Sequence, residues 1–598
     1  MAEDQKKFLP INYTNREFSE IRSDLLEMAE RFYPDSFQDF SEASFGAMMI
    51  DAVAYVGDQL NFYLDYNVNE AFLDTSFQYA NVVRHGRALG YKPTGRSSTF
   101  GEVTLYVEIP AASAGLGPDT RYIPILRRGS RFTSTNGMSY MLIENVDFND
   151  PTNPVIVSKV DNGTGAPTHY AIRTKGNIVS GRLGQQSITV GAFERFKKVN
   201  LRDPNIVEII SVFDSEGNQY YEVEYLAQDV IYKELPNDNF KNDNVPSVMK
   251  PMLVSRKFVS EYGRNGFTLQ FGSGEAGATD VVARPQEIAL DVFGKNYVTN
   301  TTFDPTRISK NTSFGIVPAN TTLYVVYRTT NNANSNAAVG AVNSVVDPIV
   351  QFEDKTVLNG TDVNSVISSI EVLNEKPVLG NVSTPSTSEI KRRIFDTFPT
   401  QNRAVTQADY ENIAYRLPSK FGSIKRCLVV KDQDSLKRNL NMYVISEDKF
   451  GKLAIANNTI KTNLKTWLNN YRMVNDTIDI LDPYIINIGI EFVIKLKPGH
   501  NKTDILNQAT QKIRSMISDG YFIGESIYIS DIYSALKDID SVLDVPSVKL
   551  NNKSGGQYSS TTFVINKNIS PDGTQLLCPA NAIFEIKFPE VDIRGKVR

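Results

Sequence analysis

Residues 483–497 place the tightest constraint on the fold. Tyr484, Ile486, Ile488, Ile490, Phe492, Ile494 and Leu496 occupy alternate positions, a period that puts seven apolar side chains on one face of a single long strand. Such a face must be covered. Residues 503–518, with Ile505, Ala509, Ile513 and Met516 on one side, are expected to lie over it as a helix. The segment 527–529 then leads into a short helix from Asp531, closing a compact α+β domain near Leu550. Beyond it, a polar linker from Asn551, a strand-like 562–565 and the alternating 582–588 form a tail.

Upstream of that strand, residues 406–417 read as a helix with Thr406 as cap and Asp409 in its first turn, followed by strands near 427–431 and 440–445 and a helix near 453–471. Earlier still the texture is β-rich. Short strand patterns at 102–109, 186–190, 207–213, 267–271 and 322–328 alternate with Gly, Pro, Asn and Asp clusters, and the polar stretch 331–336 is expected to be a mobile loop or hinge.

The first ninety residues are helical in pattern. Asp39 and Glu42 have the spacing of a capping box, after which Phe45, Met48, Met49, Ala52, Val56, Leu60 and Tyr63 recur at steps of three and four. Ile50, Val53, Tyr55, Phe62 and Leu64 widen that stripe beyond what one contact surface requires, so the helix is expected to be covered on more than one side. The seven stripe residues are the candidate protein interface; the alternative is a helix packed only on its own chain. A second helix, 76–89, ends at Gly90 with Pro93 beyond. The chain thus reads as a multi-domain α+β protein. Its parts are a helical region 1–95, a β-rich region 96–345, a connecting segment 346–402, an α+β domain 403–550 and a C-terminal extension 551–598 containing strands.

Chemistry is sparse. The three histidines, His85, His169 and His500, have no Cys or His partner at metal-ligand spacing, no Gly-x-Ser-x-Gly elbow occurs, and Gly294-Lys295 and Gly451-Lys452 lack the rest of a phosphate loop. No catalytic, cofactor-binding or metal residue is assigned, and no enzyme activity is expected. Lys plus Arg total 63 against 68 Asp plus Glu, a net charge of −5, which argues against nucleic acid as a partner. With two cysteines, Cys427 and Cys578, a disulfide framework is excluded. No window approaches the 18 or so consecutive apolar residues of a membrane span, and the charged start carries no export signal, so direct membrane insertion is not expected.

Against this background a set of motifs resembles a known family. Arg403-Ala404-Val405-Thr406-Gln407-Ala408-Asp409-Tyr410-Glu411 resembles the signature that opens the carboxy-terminal domain of the baseplate J-like family of contractile injection machines. Residues 125–134 with Gly137, Tyr221 to Leu226, Phe271-Gly272-Ser273-Gly274, and 323–330 followed by 334–340 are similar to its further elements, in the same order. Ser273 stands where the family often has an acidic residue, and the loop at Asn334 lacks the usual preceding Gly. Asp39-Phe40-Ser41-Glu42 with Gly46, and the length, are most similar to baseplate wedge subunits of T-even-type contractile-tailed phages.

The resemblance implies a structural subunit of the virion tail baseplate, assembled in the host cytoplasm and without cofactors. It implies two copies per wedge, joined as a homodimer and to other baseplate wedge proteins, with neighbouring wedges closing a ring around the hub. It also implies a ring that rearranges on host engagement and releases the sheath to contract, with residues 1–95 as the wedge-bundle region and Arg403, Val405, Thr406, Asp409 and Tyr410 as structural signature residues. A baseplate component of a bacterial contractile secretion system or tailocin is the alternative within the same fold. A polysaccharide-cleaving tail enzyme, working through a carboxylate pair, is the alternative outside it.

Overall fold

The computed structural model describes residues 17–32, 44–92, 95, 97–112, 117–236, 247–263, 266–274, 314–330, 334–354, 358–432 and 439–598. The chain divides into two compact units, Met1–Pro93 with Pro385–Gln401, and Thr94–Thr384 with Asn402–Arg598. N-terminal helices, a β-rich middle and a mixed α+β C-terminal region follow one another along the sequence, as the periodicities predict.

The first unit contains α1 (Phe18–Phe32), α2 (Phe45–Ala71), α3 (Tyr79–Ala88) and α4 (Thr387–Thr400). The capping box expected at Asp39 and Glu42 lies outside the described residues. The cap that starts α2 is Ser44, whose hydroxyl accepts a hydrogen bond from the Ala47 amide at 3.1 Å. Helix α3 stops where the Tyr91 amide reaches back to the Gly86 carbonyl at 2.8 Å and Gly90 turns to φ +89°. Val82 and Tyr91 pack on Ile390 and Ile394 of α4. This approach needs Gly86, because a Cβ there would sit 2.7 Å from Ile394 Cδ1.

The second unit begins with a seven-stranded sheet. Its central pair is β1 (Phe100–Pro110) and β3 (Pro167–Ser180), antiparallel over eleven residue pairs, with β2 (Val155–Val160) on the far side of β3. Strands Val342–Asp347, Arg131–Ser134 and Ser139–Leu142 extend the sheet from β3, and Glu371–Leu373 extends it from β1. The two ends meet at fully buried Asn374, which accepts from the Val342 amide and donates to the Ala338 carbonyl, both at 2.8 Å. Val103, Leu105, Val107, Phe132, Tyr140 and Ile178 fill the interior.

At Gly181 the chain leaves this sheet for a second one built on Arg182–Val190, Thr321–Thr329, Ile206–Phe213 and shorter strands. The crossing requires glycine: φ is +116°, and a Cβ would lie 2.6 Å from the Thr329 carbonyl oxygen. Buried Arg328 fastens the junction. Its guanidinium donates to the Ser180 carbonyl at 2.6 Å, to Ser98 Oγ at 2.7 Å and to Glu208 Oε2 at 2.9 Å, which leaves the desolvated charge fully partnered.

Residues 331–333 of the expected hinge lie outside the described residues, but Ser335 and Asn336, farther along the same stretch, are fixed. The Ser335 carbonyl accepts from Thr99 Oγ1 at 3.0 Å and Tyr140 Oη at 2.9 Å. Buried Asn336 donates through Nδ2 to the Asn381 and Glu447 carbonyls at 2.8 and 2.9 Å and accepts from the Asn381 amide at 3.0 Å. The polar stretch looks like a loop by composition, yet its side chains satisfy backbone groups where sheets converge.

In the C-terminal region the long strand is β4 (Tyr484–Leu496). Ile486, Ile488, Ile490, Phe492 and Ile494 are buried, whereas Tyr484 at one end is exposed. Helix Lys502–Met516 covers it with Ile505, Ala509 and Ile513; Met516, expected on the same side, is instead exposed in the final turn. The residues read as a helix near 453–471 open as a strand, Leu453–Ile455, before helix Asn458–Asn469. Residues 562–564 form no strand, the Phe563 amide donating instead to Asn552 Oδ1 at 3.2 Å, and Ile565–Asn568 is a short helical turn. The tail completes the sheet: Ala582–Glu585 and Ile593–Val597 both run parallel to β4, along its two halves.

Candidate assembly surface

Helix α2 reverses the usual relation between polarity and burial. Most of the residues it covers are small or polar: Ala47 and Ala54 are buried, and Asp51, Gly57, Asp58, Asn61 and Asp65 are half-buried, while Ile50, expected in the widened apolar arc, is half-buried as well. Gly57 lies 3.4 Å beneath Ile21 Cδ1, measured from where its Cβ would be, and Arg22 Nε reaches Asp51 at 2.5 Å, so α1 rests on this small-residue side. Outward point Phe45, Met48, Met49, Ala52, Val56, Leu60 and Tyr63, the seven residues of the apolar stripe, every one exposed. Phe45 is 73% exposed and Leu60 62%. Val53, Tyr55, Phe62, Leu64 and Val68 are exposed beside them, and no residue of α1 is buried. An apolar surface of that extent is the mark of an interaction site.

The C-terminal end of α2 is held by chemistry that no local spacing announces. Glu70, itself buried, accepts from the Phe77 amide at 2.7 Å and the Gln78 amide at 3.1 Å, and from Asn81 Nδ2 at 2.8 Å. Gln78, the N-cap of α3, makes no side-chain cap of its own; the carboxylate of the previous helix serves instead, placed where the helix dipole favours a negative charge. The Asn81 amide, with the two backbone amides, outweighs burial and holds Glu70 below its ordinary pKa. The His85 imidazole lies against the Glu70 carbonyl at 2.9 Å.

The signature residues separate into two groups. Thr406 Oγ1 accepts from the Asp409 amide at 3.2 Å while Asp409 Oδ2 accepts from the Thr406 amide at 2.8 Å, a reciprocal capping box at the start of helix Gln407–Tyr415. Buried Tyr410 donates its hydroxyl to Asp476 Oδ2 at 2.7 Å, and burial, aided by that carboxylate, pushes its pKa up to about 12. Arg403 and Val405 are exposed, on either side of buried Ala404. The capping residues and Tyr410 thus fix a helix to the loop around Asp476, while Arg403 and Val405 face outward.

Among the described residues no three or more His, Cys, Asp or Glu side chains are grouped closely enough to hold a metal ion, and no helix is long and apolar enough to cross a membrane. Sequence reasoning missed Glu70, Arg328 and Glu585, and read Asn336 as part of a loop or hinge. Glu585 is a buried carboxylate that accepts from the Leu453 amide at 2.8 Å and from Asn487 Nδ2 at 2.7 Å, with its pKa raised by burial.

Residues 17–88, spanning α1 to α3, match the family described as bacteriophage baseplate protein, N-terminal domain. The exposed apolar helix is therefore the centre of a segment of baseplate-protein type. A chain in the cryo-EM structure of the anti-feeding prophage baseplate aligns over 94% of this chain and 89% of its own length, with 10% identity and a TM-score of 0.24. A chain in the type VI secretion system TssK-TssF-TssG baseplate subcomplex aligns over 72% of this chain and 95% of its own, with 8% identity and a TM-score of 0.21. No curated protein matches the chain.

Proposed function

We propose that this protein is a structural subunit of a phage contractile-tail baseplate wedge, and that α2 is the surface through which it assembles. The observation that carries the reading is the exposed apolar arc of α2, lying inside the segment that matches the baseplate N-terminal domain. Advancing about 100° per residue, the exposed apolar positions from Phe45 to Leu64 spread over more than half of the helix circumference. A single partner helix covers a stripe of about 100°. More than one further helix is therefore needed to cover it, and a second copy of this chain together with another wedge protein would supply them. Phe45, Met48, Met49, Ala52, Val56, Leu60 and Tyr63 are the proposed contacts.

In this reading residues 1–95 form the wedge bundle, and the β-rich and C-terminal regions join wedges around the hub and pass on the rearrangement that releases the sheath. The test is the double variant Met49→Asp with Val56→Asp. Both side chains are exposed, so the chain is expected to stay folded by circular dichroism yet lose copurification with its wedge partners. Normal complexes of the double variant on gel filtration would overturn the reading.

A further inference from the structure

Strand β2 carries an inference that goes beyond this reading and stands on different residues. All six of its residues are exposed, although Val155, Ile156, Val157 and Val160 are large and apolar. Its register shows why this is unusual. Val107 of β1 stands opposite Ile172 of β3, which stands opposite Val155; two residues along, Ile109 stands opposite Tyr170, which stands opposite Val157. Residues directly opposite share a face of the sheet, and Val107, Ile109 and Ile172 are buried. Val155 and Val157 therefore continue the core face of the sheet outward, where they are 45% and 47% exposed. The core face runs past its own cover.

The edge is also open in its hydrogen bonding. The Arg173 amide donates to the Pro154 carbonyl, so Pro154 and, by alternation, Ile156 direct their backbone groups at β3, and Val155 and Val157 direct theirs at the free edge. Among the described residues no strand pairs with that edge. The single charge on the strand is turned away, Lys159 Nζ being held by Glu108 Oε2 at 2.6 Å.

We propose that this edge pairs with the same edge of a second copy of the chain, antiparallel about a two-fold axis at Ile156. The sequence Val155-Ile156-Val157 is its own complement under that rotation. Val155 meets Val157 of the second copy as a hydrogen-bonded pair, since both direct N–H and C=O outward, and the symmetry repeats the pair on the other side. The two core faces become one apolar row with no charge opposed to a like charge. Ile156 meets its own counterpart as a non-hydrogen-bonded pair, with Cα atoms about 4.5 Å apart, inside the range that a disulfide spans.

The experiment is oxidative cross-linking of the full chain carrying Cys578→Ser, with Ile156→Cys or Val160→Cys added. Both added positions are exposed, so folding is checked simply by the melting curve. In the proposed pairing two copies of position 160 lie about eight residues apart along the strands, roughly 27 Å. Ile156→Cys is expected to give a covalent dimer on a non-reducing gel and Val160→Cys to remain monomeric. Both are repeated in the Met49→Asp, Val56→Asp background, so that loss of helix assembly is read separately. Selective cross-linking at 156 in either background supports the pairing; no dimer at 156 in both, or equal cross-linking at 160, overturns it.

Discussion

Helix α2 and strand β4 carry comparable runs of large apolar side chains and dispose of them in opposite ways. Around β4, helix Lys502–Met516 and helix Ile529–Lys537 supply Ile505, Ile513, Ile532 and Leu536, and the strand residues from Ile486 to Ile494 that face them are at most 2% exposed. Around α2 the described residues supply α1, on the side bearing Ala47, Ala54 and Gly57. The first run is a finished core. The second is half of one, and each large side chain left in water forgoes about 1.5–3 kcal/mol that burial would contribute. Periodicity alone cannot separate the two cases, because both satisfy it; what separates them is the count of covering elements.

The sharpest way to break this comparison is to delete one residue from each run. Phe492→Ala is expected to cost about 3–5 kcal/mol in the unfolding of the second unit, through a cavity that helix and sheet cannot fill. Leu60→Ala is expected to leave the free chain within about 0.5 kcal/mol of the parent while weakening wedge assembly. Denaturant melts of both variants, followed by copurification, check the pair; a large stability loss for Leu60→Ala would show that α2 is covered after all.

A smaller effect tests whether the polar joints of the second unit are as finished as its core. Asn336→Ala removes the hydrogen bonds to the Asn381 and Glu447 carbonyls and from the Asn381 amide, and is expected to cost about 1–3 kcal/mol in the same melt. A neutral result would return residues 334–336 to the status of an ordinary loop.

The smallest effect is one of pH, and its sign differs between the units. Glu70, held below its ordinary value of 4.5 by Asn81 and the Phe77 and Gln78 amides, stabilises the start of α3 above that ordinary value, and the contribution is lost as pH falls through the lower folded one. Glu585, raised above 4.5 by burial, contributes stability below 4.5 that is lost as pH rises through the higher folded value. Acidification from neutrality should therefore first firm the sheet around strand Ala582–Glu585, and loosen the Phe77 and Gln78 amides only later. Hydrogen exchange corrected for its intrinsic pH dependence checks the order; simultaneous loosening of both would contradict it.

Much of the architecture was legible because local periodicity decides it. The β4 alternation, the stop at Gly90 and the Thr406 cap with Asp409 in the first turn each require only neighbours within a few residues. The pairing of Ala582–Glu585 and Ile593–Val597 with β4 was not legible: nearly a hundred residues separate the partners, and parallel pairing leaves no turn to read. Asn336 was misread because composition reports polarity and not the carbonyls waiting nearby. On the candidate surface, the stripe from Phe45 to Tyr63 was legible and its exposure was not, since that depends on α1 choosing the small-residue side. Glu70 gave no signal, its partners lying seven to eleven residues ahead across a helix break.

The joint at Ser335 and Asn336 has a mechanical consequence. One residue accepts from Thr99 and Tyr140 of the first sheet region, and the next grips the Asn381 and Glu447 carbonyls. Successive residues of one extended segment thus act as rivets through two plates. A torque applied at either plate meets several hydrogen bonds of 2.8–3.0 Å loaded in shear, which resist the two plates turning past one another.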